Sequence, residues 1–160
     1  MLTGETGKGK SVIATQLALS LSSASSLFGT LAIEKPHPVY YMQLEGSVPE
    51  QLRRLHYMRQ VIPLNGKWLE WDCDRKIAPL SRYEAIVRRF PAPPVVILDP
   101  IYKLTGGDLA KAEEALKVIR FSDALLAAGC TVVMVHHPHR DKLTPQGKKI
   151  EEEDFYYGHS

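Results

Sequence analysis

Three short apolar runs decide which folds are open to this chain. Val39-Tyr40-Tyr41-Met42-Gln43-Leu44, Val95-Val96-Ile97-Leu98 and Thr131-Val132-Val133-Met134-Val135 are rich in β-branched and aromatic residues. Runs of that composition, bounded by proline, glycine or an acid, read as buried strands. Stretches of helical period separate them, so the alternation predicts an α/β fold with a mostly parallel sheet flanked by helices. The 160 residues suit one domain over 1–160. With 44% hydrophobic and 24% charged residues, global disorder, collagen and coiled coil are excluded.

The helices are placed by spacing. The first is expected from Gly9 or Lys10 into the twenties, with Ile13, Leu17 and Leu21 as its stripe and Ala14 and Ala18 beside them. The serines at 22, 23, 25 and 26 should end it, because their hydroxyls compete for backbone bonds. Ser47 and Glu50 have capping-box spacing before a helix carrying Leu52, Leu55 and Met58. Trp68 to Trp71 alternates like a short edge strand, and Tyr83 to Phe90 reads as a helix stopped by Pro91. Asp108 is a candidate cap for a long helix with Leu109, Ala112, Leu116, Ile119 and Leu126 on one face, ended by Gly129. Residues 140–160 read as a polar loop or tail.

Gly4-Glu5-Thr6-Gly7-Lys8-Gly9-Lys10-Ser11 fits G-x-x-x-x-G-K-[ST] at every fixed position. Glycines let successive N–H groups turn inward around phosphate oxygens, and the helix that begins here adds its positive end. The nucleotide-binding stretch is thus Gly4 through Ser11, with Val12 next in the helix. Lys10 would reach the β- and γ-phosphates of ATP, and the Ser11 hydroxyl would hold Mg²⁺. The competing reading is a chance glycine-rich turn. A loop of this kind follows a buried strand, and only Met1-Leu2-Thr3 precedes it, so the chain reads as clipped there.

Two carboxylates stand at strand ends. Asp99 follows Val95–Leu98, where it can hold the Mg²⁺ shell; Asp-Pro also favours a plain strand-ending turn. Glu45 ends the other strong strand, where a carboxylate can take a proton from an attacking water, or can simply favour a helix N-terminus. His136-His137-Pro138-His139 follow the third strand. Adjacent histidines point to opposite sides of an extended chain and no partner motif accompanies them, so a γ-phosphate contact is favoured over a structural metal.

In this order, these motifs resemble the RecA-like P-loop ATPases, and within them the RepA-type and DnaB-type hexameric replicative helicases of the AAA family. Val39 through Ser47 and Gln51-Leu52-Arg53-Arg54-Leu55 are similar to the segment bearing that family's catalytic glutamate. Val95 to Asp99 with Pro100-Ile101-Tyr102 and Gly106-Gly107-Asp108 resembles its Walker B segment, and Val133 to His137 its sensor strand. The resemblance spans about residues 4–140. It implies that Lys10 and Ser11 bind phosphate and Mg²⁺, that Asp99 supports the metal, that Glu45 is the base and that His137 senses the γ-phosphate. It also implies a ring, such as a hexamer, acting on single-stranded DNA, with the sequence ending before the family's last strands.

Three functions fit these residues. The first is an ATP-driven helicase or translocase, with Arg140, Lys142, Lys148 and Lys149 as candidate DNA contacts and Arg140 also a candidate for acting in trans. The second is a small-molecule kinase with residues 139–150 as a lid. The third is a nucleotide-dependent switch or assembly protein in which Glu45 is structural. Net charge of +2 neither announces nor excludes nucleic acid. Cys73 and Cys130 make no disulfide framework, which favours a reducing, cytoplasmic setting. No apolar run approaches membrane-spanning length, and the first residues lack the basic and apolar regions of a signal peptide.

Overall fold

The computed structural model of the chain describes residues 1–5, 7–74, 78–105, 109 and 111–136. Chain order is β1 (Leu2–Thr3), α1 (Lys10–Ser23), β2 (Val39–Gln43), α2 (Val48–Met58), β3 (Leu69–Asp72), α3 (Leu80–Val87), β4 (Val95–Asp99), a 3-10 turn (Ile101–Leu104), α4 (Ala112–Ala127) and β5 (Thr131–His136). The five strands form one sheet in the order β1-β5-β4-β2-β3, and every neighbouring pair is parallel. Parallel strands deliver their carboxyl ends to one edge, where ligands of open α/β sheets bind. Gln43 is opposite Asp99, and Thr3, at the end of β1, is opposite His136.

The strand runs are continuously apolar because the sheet is covered on both faces. Tyr40, Met42, Val96 and Leu98 pack on one side with Tyr83, Ile86 and Val87 of α3 and Val118 and Leu125 of α4. Val39, Tyr41, Ile97 and Val135 pack on the other with Ala14, Ala18 and Leu19 of α1. The edge strand expected near Trp68 is present as β3, the outermost strand beside β2. β5 runs one residue further than expected, taking in His136.

Two helix faces differ from those read off the sequence. On α1 the fully buried positions are Ala14, Thr15, Ala18, Leu19, Ser20 and Ser22, while Ile13 is exposed and Leu17 and Leu21 are half-buried. Small side chains share the sheet-facing side with Leu19, while Ile13, Leu17 and Leu21 sit at the flank. Ser22 and Ser23 are accommodated because both hydroxyls donate to the Leu19 carbonyl. On α4, Leu116, Ile119 and Leu126 are 43%, 53% and 53% exposed, and Val118, Ser122 and Leu125 are buried instead. The buried strip is one residue earlier, about 100° around the helix. Ser122 can join it because its hydroxyl donates to the Val118 carbonyl at 2.8 Å.

The third helix starts at Leu80 and ends at Val87, earlier at both ends than expected, because Pro79 sets its start and Arg88 and Arg89 already turn the chain. α4 is preceded by Lys111 at its cap position; Asp108 lies outside the described residues, as does the 140–160 segment. Among the described residues, no helix is long and apolar enough to cross a membrane.

Gly129 ends α4 as the sequence suggests. Its φ is +83°, its N–H donates to the Leu126 carbonyl, and an added Cβ would lie 3.2 Å from Pro93 Cγ. Gly129→Ala is therefore expected to destabilise the chain by about 1–2 kcal/mol from the left-handed backbone alone. Gly66→Ala, at a position with open space and no positive φ, should cost less. Paired urea melts of the two variants check this difference.

Candidate functional site

The sheet's carboxyl edge holds a cleft of about 300 Å³. Gly7, Gly9, Lys10, Ser11 and Val12 line one wall; Gln43, Glu45 and Gly46 from the end of β2, Glu50, Gln51 and Arg54 from α2, and Asp99 from β4 line the rest. The loop reaches this position because β1 pairs with β5 and hands the chain to α1 at Gly9, whose φ of +82° begins the helix. The first-turn N–H groups of α1 lack intrahelical acceptors and are available to an anion. Lys10 is buried, and its ammonium donates to the carbonyls of Gly4 and Glu5 across the loop. Burial pushes Lys10 below the usual lysine range, opposed by the charges of Asp99 and Glu5. Glu5 and Lys8 point to solvent, paired with each other at 3.8 Å. Thr6 lies outside the described residues.

Asp99 is 2% exposed and held by a contact the sequence reading missed. The hydroxyl of Tyr41, itself fully buried, donates to Asp99 Oδ2 at 2.7 Å. Tyr41, Gln43 and Asp99 lie on the sheet face that carries α1. Asp99 Oδ1 is buried and has no hydrogen-bond partner among the described residues. A buried anionic oxygen left so is costly unless a ligand completes it. A hydrated Mg²⁺ has the hard, oxygen-seeking chemistry that fits, with the Ser11 hydroxyl lining the same cleft.

Glu45 stands just beyond β2. The Leu44 N–H donates to the Asp99 carbonyl at 2.7 Å, tying the ends of β2 and β4 together. The Glu45 carbonyl accepts from Gln51 Nε2 at 2.6 Å, and Gln51 in turn accepts from the Cys73 thiol at 3.0 Å. The expected cap is present: Ser47 Oγ accepts from the Glu50 N–H at 3.3 Å and starts α2. A second missed residue is Tyr102 in the 3-10 turn. Its phenol hydrogen-bonds the Glu45 carboxylate, and burial together with that carboxylate pushes it up to about 12. Signals for both tyrosines existed: Tyr41 shares alternation parity with Gln43, at the strand end, and Tyr102 follows Asp99 by three residues. A tyrosine within an apolar run nevertheless reads first as core.

Of the residues singled out from sequence, Gly7, Gly9, Lys10, Ser11, Val12, Glu45 and Asp99 come together in one cleft. Gly4 joins through its carbonyl. His136 ends β5 between the loop strand and β4; His137 lies outside the described residues.

A family model described as an AAA domain matches residues 1–142. The chain belongs to the AAA domain family. Among solved structures, a KaiC-like protein from the hyperthermophilic archaeon Pyrococcus horikoshii OT3 shares the fold of this AAA domain. The TM-score is 0.51 and the sequence identity 16%, over 86% of this chain and 61% of that one. The present chain thus spans less than two thirds of that structure. No curated protein matches the sequence. Family and fold make this an AAA domain with the architecture of that KaiC-like protein, its Gly4–Ser11 loop opening the first helix.

Burial of phenols makes the fold sensitive to alkali. Tyr40 and Tyr41 are both raised above the ordinary tyrosine value, chiefly by burial and next by the Asp72 and Asp99 carboxylates they face. In the unfolded chain they ionise near pH 10. Between that pH and the folded values the unfolded state loses protons first, so stability is full below about pH 10 and falls as pH rises above it. Tyr41→Phe should cost about 1–3 kcal/mol at neutral pH by stranding Asp99 Oδ2, and should make the alkaline loss shallower. Urea unfolding from neutral to about pH 11 reads both effects. Parallel pH curves for the two proteins would contradict the assignment.

Proposed function

We propose that this domain binds ATP with Mg²⁺, hydrolyses it, and uses the cycle to drive a helicase or translocase of the RepA/DnaB type on single-stranded DNA, as a ring. The observation that carries the hydrolysis is the single cleft joining Lys10, Ser11, Glu45 and Asp99, with one Asp99 oxygen buried and unspent. The DNA motor rests on the motif order quoted from the sequence.

The N–H groups of the loop and of the first turn of α1 seat the phosphates, and Lys10 leaves the Gly4 and Glu5 carbonyls to neutralise the β- and γ-oxygens. Ser11 and Asp99 would hold Mg²⁺, which when bound withdraws charge from the phosphate oxygens. Tyr41 keeps Asp99 turned so that Oδ1 stays available. Glu45 takes the proton from the water that attacks the γ-phosphate, and Tyr102 fixes the carboxylate's orientation. The loop with Ser11, the Asp99 carboxylate and the base follow three separate strand ends, so displacing any one strand disperses the site.

Glu45→Gln should lower ATP turnover about 10²- to 10⁴-fold while ATP still binds. Lys10→Ala should weaken binding itself. With single-stranded DNA present, wild-type turnover should rise. Steady-state phosphate release, with and without DNA, measures all three. Turnover indifferent to DNA would overturn the motor and leave the ATPase. Turnover unchanged in Glu45→Gln would remove Glu45 as base and favour a switch, and phosphate transfer to a small alcohol would favour a kinase.

A further inference from the structure

Arg54, in the second turn of α2, lines the same cleft as Lys10, Glu45 and Asp99. Its side chain is 27% exposed, so most of it is out of water. A guanidinium carries five donors, yet among the described residues Arg54 makes no hydrogen bond. Its ion-pair partner is Glu50, one turn earlier, at 3.6 Å between Nη2 and Oε1, which is beyond hydrogen-bond length. Its charge also reaches Tyr41, the residue that holds Asp99. A guanidinium at the cleft wall with unspent donors is free to turn to an anion that enters. The cleft also brings carboxylates Glu45, Glu50 and Asp99 close to where an anion would sit, so a cation beyond Lys10 and the Mg²⁺ favours a triphosphate there.

We propose that Arg54 is a catalytic residue acting within its own chain: its guanidinium binds the terminal phosphate of ATP and stabilises the charge that develops there during hydrolysis. This rests on the ATPase reading above. Position supports it, because Arg54 stands on the helix that begins right after Glu45, and the base must lie beside the phosphate it serves. Chemistry supports it as well, since arginine's planar fork matches phosphate oxygens two at a time. ADP lacks the group Arg54 would hold, so the two nucleotides should separate in their dependence on it.

The test uses the full chain as wild type, Arg54→Ala and Arg54→Lys, each checked for fold by circular dichroism and melting. Calorimetry with Mg²⁺ measures ADP and a non-hydrolysable ATP analogue, and phosphate release measures kcat. Arg54→Ala should weaken the ATP analogue roughly tenfold or more, leave ADP within about twofold, and lower kcat about 10²- to 10³-fold. Arg54→Lys should recover part of the binding and little of the rate, because a point charge lacks the fork; it also serves if the alanine variant does not fold. If both nucleotides weaken together, or neither binding nor rate changes, Arg54 is only the partner of Glu50 on the helix flank and the proposal fails. Wild-type chain that binds ATP without turnover would sink the hydrolysis reading, while the ATP-to-ADP comparison would still decide where Arg54 reaches. Wild type that binds neither nucleotide would overturn both.

Discussion

A parallel ladder carries its strands to a common edge, and the β2–β4 pair does so residue for residue, from Val39 opposite Val95 to Gln43 opposite Asp99. One further bond, from the Leu44 N–H to the Asp99 carbonyl, locks the two chain exits side by side. Everything chemical in the cleft depends on that register. A slip of one residue would turn Asp99 to the opposite face, away from Tyr41 and α1. The register is in turn held by burial on both faces: Tyr40 and Met42 can face only α3 and α4, and Val39 and Tyr41 only α1.

The same alternation explains why the site has a buried polar centre. Tyr41 spends its ring in the core and its hydroxyl on Asp99, so one side chain serves packing and electrostatics together. Tyr40, one residue earlier, does the same on the opposite face, donating to Asp72 Oδ2 at 2.6 Å. The pair therefore joins β2 to the acids that end its two neighbouring strands. Asp99 is left with one oxygen satisfied and one available, a state that a rigid apolar surround can maintain and a solvated turn cannot.

Much of this was legible in the residues. The phosphate loop announces itself by spacing, the strands by apolar runs, Asp99 and Glu45 by standing where those runs stop, and the caps at Ser47 and Gly129 by residue type. The helix faces were not, and the reason is physical. Hydrophobicity marks Ile13 on α1 and Leu116 and Ile119 on α4, but apolar residues occur on more than one side of each helix, and packing buries Ala14, Ala18 and Leu19 on α1 and Val118, Ser122 and Leu125 on α4. Nor were Tyr41, Tyr102 and Arg54 legible as site residues. Strand parity and the distance from Asp99 hinted at the two tyrosines, but a tyrosine within an apolar run reads first as core and an arginine on a helix reads first as solvated surface.

The central claim is that β2, β4 and the phosphate loop converge so that one nucleotide can meet Lys10, Glu45 and Asp99 at once. A crystal structure with Mg²⁺ and a non-hydrolysable ATP analogue tests it most directly. The account predicts the triphosphate on the loop and the first turn of α1, the metal on the side of Asp99 Oδ1, and Tyr41 still bonded to Oδ2. Nucleotide bound elsewhere, or Asp99 turned away from the metal with its bond to Tyr41 broken, would contradict it.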